Sequence, residues 1–108
     1  MDNIIIQLAK AIITEEVEKA GCSLKRLLHF GSRVRGDFRP DSDWDFYAVI
    51  DKDISYSERW DISDRIRLRF VQEGFFGDVF IQSERTVQER KGNTRFLTYY
   101  VLKEGMEI

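Results

Sequence analysis

The chain has 108 residues, 43% apolar and 33% charged, a balance that suits one domain with a modest core and excludes a largely disordered protein. Seventeen basic against nineteen acidic side chains leave a formal charge of −2, so there is no sequence-wide attraction for a phosphate backbone and nucleic acid is not an expected partner. Cys22 is the only cysteine, which excludes an internal disulfide and a cysteine-built zinc site and fits a reducing compartment.

From Asp2 to about Ala20, the residues Ile5, Leu8, Ile12, Ile13, Val17 and Ala20 recur mostly every three or four positions, which predicts an amphipathic helix capped by Asp2 and stopped by Gly21. The run Ile4-Ile5-Ile6 is too short to span a membrane, and no basic segment leads into an apolar signal core. A cytoplasmic protein without a membrane partner is expected. Leu24 to Phe30 reads as a short buried strand running into Gly31, and the loop from Ser32 to Ser42 holds the only proline, Pro40. Asp43 to Ile50 reads as a second strand.

Ser55 with Glu58 forms a capping-box pattern, and Trp60, Ile66, Phe70 and Val71 supply apolar positions of a helix closed by Gly74. Phe75 to Gln82 is a third expected strand, with Asp78 near its start, and Gly77 just before it should loosen that strand. The polar segment from Ser83 to Gly92 has only weak helical character, and Asn93 is the expected cap of a last helix running to Gly105. The order helix, strand, strand, helix, strand, helix gives an α+β fold: one domain, a small mixed sheet and helices packed mainly on one face.

The chemistry concentrates in Gly31-Ser32 and in Asp43 and Asp45. On a strand, residues two apart point to one face, so Asp43 and Asp45 bring two carboxylates together. Like charges so placed repel, and a hard divalent cation removes the conflict. Backbone and hydroxyl at Gly31 and Ser32 are suited to holding phosphates that such a cation bridges. Two-metal phosphoryl transfer calls for a further carboxylate on a neighbouring strand, and Asp78 is the best candidate. Two other motifs fail on counting. A P-loop needs lysine and a hydroxyl residue where Asp37 and Phe38 stand, and an EF-hand needs glycine and glutamate where Phe46 and Lys52 stand.

The combination Leu27-Leu28-His29-Phe30-Gly31-Ser32, then Ser42-Asp43-Trp44-Asp45-Phe46, then Asp78 after an intervening helix resembles the signature of the polymerase β-type nucleotidyltransferases, in their minimal branch. The likeness runs from about residue 24 to the final helix. It implies that Asp43, Asp45 and Asp78 are catalytic and ligate Mg2+, with Asp78 orienting or deprotonating the acceptor hydroxyl. It implies that Gly31 and Ser32, with Arg33 and Ser42 beside them, hold a nucleoside triphosphate, expected to be ATP. The reaction would transfer a nucleoside monophosphate and release pyrophosphate. Trp44 is bulkier than the usual residue between the aspartates.

The same resemblance points to a helical HEPN-type toxin as protein partner, with this chain as an antitoxin that blocks it or adds adenylate to it. The alternatives are a binding module that inhibits without catalysis, and transfer to a small hydroxylated molecule as in aminoglycoside-modifying relatives. Among the remaining residues, Arg35 and Arg39 are further candidates to neutralise phosphate, His29 is expected as a packed core histidine, and Cys22 as an inert buried thiol. Tyr99 and Tyr100 can pack inside or present an apolar surface.

Overall fold

The computed structural model describes residues 2–108, with side chains from Asn3 onward, so the expected cap at Asp2 lies outside the described side chains. Nine elements follow in order: α1 (Asp2–Lys19), β1 (Leu24–Phe30), α2 (Ser32–Arg35), β2 (Trp44–Ile50), α3 (Tyr56–Gln72), β3 (Gly77–Ser83), α4 (Glu84–Arg90), α5 (Leu97–Glu104) and β4 (Met106–Glu107). The sheet runs β3-β2-β1-β4. β1 pairs antiparallel with β2 and β4, whereas β2 and β3 are parallel and are joined through α3, so the sheet is mixed as expected.

Alternation along the strands separates two apolar faces. Leu27, Phe46, Ala48, Ile50, Val79 and Ile81 face the long helices α1 and α3, which bury Ala9, Ile12, Ile13 and Val17 from one and Ile62, Ile66 and Phe70 from the other. On the opposite face Leu28, Tyr47 and Val49 meet Val87 of α4 and Val101 of α5. Helix mass thus lies mainly on the first face. The second is tied by a buried hydrogen bond of 2.5 Å between Tyr47 Oη and Thr98 Oγ1.

Glu16 is buried between α1 and α3, where Arg69 reaches it at 2.9 Å and Lys19 and Arg65 at 3.4 Å. Burial pushes its carboxyl up, but the hydrogen bonds and charges of Arg69 and Lys19 outweigh that and hold it below the ordinary value.

Several local expectations change. Trp60 and Val71 are exposed, because α3 turns Ile62, Ser63, Ile66 and Phe70 to the sheet. The polar segment after Ser83 forms α4, started by Ser83 Oγ accepting from the Thr86 amide. Asn93 does not cap the last helix. Its Oδ1 accepts from the Arg95 amide in a local turn, and α5 begins after Phe96 with no side-chain cap. Cys22 is buried, and His29 is buried against Trp44 and Phe46 with ring centroids at 5.4 and 5.3 Å, as expected. Tyr99 is half-buried and Tyr100 exposed.

Candidate active site

The site candidates gather at one end of the sheet. β1 ends at Phe30, whose register partner on β2 is Asp45, and the chain then turns sharply at Gly31, with φ +89°. A side chain is strained in that conformation. Gly31 is constrained a second way, since a Cβ there would overlap Asp45 Oδ2. The absence of a side chain at Gly31 therefore lets the Asp45 carboxylate lie against the turn. The Gly31 carbonyl accepts from the Val34 and Arg35 amides at 3.1 Å, starting the single turn α2 with Ser32 half-buried at its first position.

Arg33 and Ser42 fix the loop that returns to β2. Arg33 donates to the Ser42 carbonyl at 2.9 and 3.0 Å and to the Pro40 carbonyl at 3.1 Å. Its guanidinium also lies 4.2 Å from the Trp44 ring centroid and 4.9 Å from that of Phe38. Ser42 Oγ accepts from the Arg39 amide at 2.8 Å. These contacts give the bulk of Trp44 a role: on the sheet face opposite the two aspartates, its ring is the platform on which Arg33 stacks. Arg35 pairs with Asp37 at 3.4 Å on the surface.

β2 begins at Trp44, so exposed Asp43 stands just ahead of the strand and Asp45 is its second residue, with Tyr47 and Val49 following on the same face. Across the parallel ladder Asp45 pairs in register with Asp78, so the two side chains share one face of adjacent strands, whose backbones in a sheet lie about 4.8 Å apart. The expectation that Gly77 loosens β3 is reversed by its surroundings. A Cβ at Gly77 would stand 2.8 Å from the Trp44 carbonyl and 3.0 Å from the Phe70 ring, so glycine is what permits β3 to approach β2 closely just before Asp78.

Burial and the negative charges of Asp78 and Asp43 push the Asp45 carboxyl up to about 6, with Arg35 pulling it back. This concentration of like charge is the environment a divalent cation relieves. The donors are hard carboxylate oxygens, the class magnesium takes. Among the described residues no three His, Cys, Asp or Glu side chains are gathered into a ready-made metal group. Magnesium typically uses one or two carboxylates together with substrate phosphates and water, so the donor set fits it without such a group.

Sequence reasoning missed Arg67. Its Nη1 stands 3.3 Å from Asp78 Oδ1, and its Nη2 bonds Asp64 one turn away on α3. An arginine on a charged helix face carries no motif, and only the Asp64 spacing was visible.

Residues 12–108 match the family described as Polymerase beta, Nucleotidyltransferase. The chain belongs to this family. The nucleotidyltransferase family match covers both halves of the site, the Gly31 turn with β2 and the start of β3. The chain is also similar to a protein named Protein adenylyltransferase MntA from Aphanizomenon flos-aquae (strain 2012/KM1/D3), at 30% identity over 86 residues. That alignment covers 76% of this chain but 54% of the relative, so the chain spans about half the length of the curated relative it matches.

Proposed function

We propose that this chain transfers a nucleoside monophosphate, AMP from ATP, to a hydroxyl on a protein partner. The observation that carries the reading is the in-register pairing of Asp45 with Asp78 beside the side-chain-free turn at Gly31. Family membership supports general nucleotidyl transfer, and the adenylyltransferase name of the relative favours ATP.

In this reading the backbone at Gly31 and Ser32, with the Ser32 hydroxyl, binds the terminal phosphates. Arg33 and Ser42 hold the loop in shape, Arg33 through Nε and Nη2 to the Ser42 and Pro40 carbonyls and Ser42 through Oγ to the Arg39 amide, which leaves Arg33 Nη1 and the Ser42 hydroxyl proton to meet a phosphate. Asp43, Asp45 and Asp78 would hold magnesium, which when bound supplies charge neutralisation at the phosphates and at the leaving oxygen. Asp78 orients the acceptor hydroxyl and takes its proton. The hydroxyl oxygen forms its bond to the α-phosphorus as the bond from that phosphorus to the bridging oxygen breaks, and pyrophosphate leaves with the electron pair.

The partner fitting this reading is a helical HEPN-type toxin encoded beside this chain, with adenylation silencing it in the cytoplasm. The test mixes the protein with α-labelled ATP, magnesium and the neighbouring gene's product. Label on the partner, lost in Asp43→Asn, is expected; neither labelling nor complex formation would count decisively against it. A second reading, inhibition by binding alone, draws on the engagement of Asp78 by Arg67. It requires Asp43→Asn to neutralise the partner as well as the parent does.

A further inference from the structure

Asp78 stands at the outer side of the candidate site, on the edge strand β3, where the close approach at Gly77 fixes its backbone but not the rotation of its carboxylate. The steadying contact comes from α3. Arg67 reaches Asp78 Oδ1 at 3.3 Å and is fixed from two further directions, by Asp64 through Nη2 and by the Trp60 ring, whose centroid lies 5.3 Å from the guanidinium. Its side chain is 29% exposed while that of Asp78 is 44% exposed, so the better-buried member of the pair is the cation. A long side chain tethered at three points has already lost much of its rotamer freedom and can orient a partner at little further entropic cost.

We infer that Arg67 is a positioning residue for Asp78: it fixes the carboxylate through Oδ1 and leaves Oδ2 as the oxygen that meets the acceptor hydroxyl and the cation. This rests on the nucleotidyl-transfer reading and adds a residue outside its motif. Two consequences have opposite signs. Removing Arg67 frees Asp78 to rotate, which slows transfer. Removing Arg67 also removes a positive charge that competes with a bound cation for the same carboxylate, which strengthens cation binding.

The experiment compares the parent, Arg67→Ala and Arg67→Lys in two assays: Mn2+ titration followed by electron paramagnetic resonance, and transfer from ATP to the neighbouring gene's product. Arg67→Ala should lower kcat about tenfold or more, the usual size for a group that orients a ligand, with the KM for ATP within about twofold. It should bind Mn2+ about threefold more tightly, the scale of one partly exposed charge a few ångström away. Arg67→Lys should recover at least half of the lost kcat on a logarithmic scale. An unchanged kcat in Arg67→Ala, a loss of Mn2+ affinity alongside activity, or no recovery in Arg67→Lys overturns the inference while leaving the transfer reading intact. A parent protein that neither transfers nucleotide nor binds Mn2+ overturns the transfer reading and the role of Arg67 with it.

Discussion

Glu16 and Asp45 are both carboxylates drawn back from solvent, and their surroundings are opposite. Glu16, 4% exposed, is ringed by Arg69, Arg65 and Lys19, and its carboxyl is held below the ordinary value. Asp45 looks across at Asp78 and Asp43 and is pushed up to about 6. The protein rings one with counter-charge and sets the other among like charges that Arg35 offsets only in part. Glu16 is satisfied by its own chain, whereas Asp45 is left with a deficit of the kind that a cation would relieve in the proposed transfer reaction.

That contrast can be broken most severely at Asp45. Asp45→Asn should reduce transfer at least about a thousandfold, roughly 4 kcal/mol of barrier, with the circular dichroism spectrum and thermal midpoint unchanged or raised. Gly31→Ala should come next, because its methyl displaces the Asp45 carboxylate and must adopt φ +89°. Activity should fall about a hundredfold and stability by about 1–2 kcal/mol, read from labelling rates and urea melts.

At Glu16 the damage should be to stability alone. Glu16→Ala should cost about 2–3 kcal/mol and lower Tm by about 10 °C or more, with transfer at low temperature retained. The pH profile sharpens the contrast further. Asp45 binds its proton more readily in the folded chain, so its penalty is absent below its ordinary 3.8 and develops as the pH rises toward about 6. Glu16 contributes stability above its ordinary 4.5 and loses it as the pH falls through its lower folded value. Thermal midpoints measured in chelator should therefore peak between those limbs, with Asp45→Asn flattening the alkaline side and Glu16→Gln the acid side. The smallest effect is expected for Arg65→Ala, about 0.5 kcal/mol in urea melts, since Arg65 is half-exposed and 3.4 Å from Glu16.

The Gly31 turn and the Asp43–Asp45 pair were legible because each depends on local spacing or on strand alternation, and Asp78 because a neighbouring strand was expected to carry it to the same edge. The residue-for-residue register of Asp78 with Asp45 is set by the ladder itself and was not legible. Glu16 was not, because burial of a charge depends on which cations a second helix brings, and Arg65 and Arg69 lie far along the chain. Gly77 was read by propensity and explained by packing, as the close approach to Trp44 and Phe70 exists only once α3 and β2 are in place. α4 escaped because it buries one apolar residue, Val87, too few for a period, although its Ser83 cap stood in the sequence. β4 is two residues long and is defined by its partner β1.

The mixed sheet also sets the order in which the site can come into being. β1 and β2 form an antiparallel pair closed by the loop carrying Gly31, Arg33 and Ser42, so the Asp43 and Asp45 half is assembled from neighbours in sequence. Asp78 arrives only when the parallel crossover through α3 docks β3 against β2, a contact of much longer sequence separation and slower closure. During refolding, divalent-cation affinity should consequently lag behind hairpin formation and serve as a kinetic clock for the final docking of the edge strand.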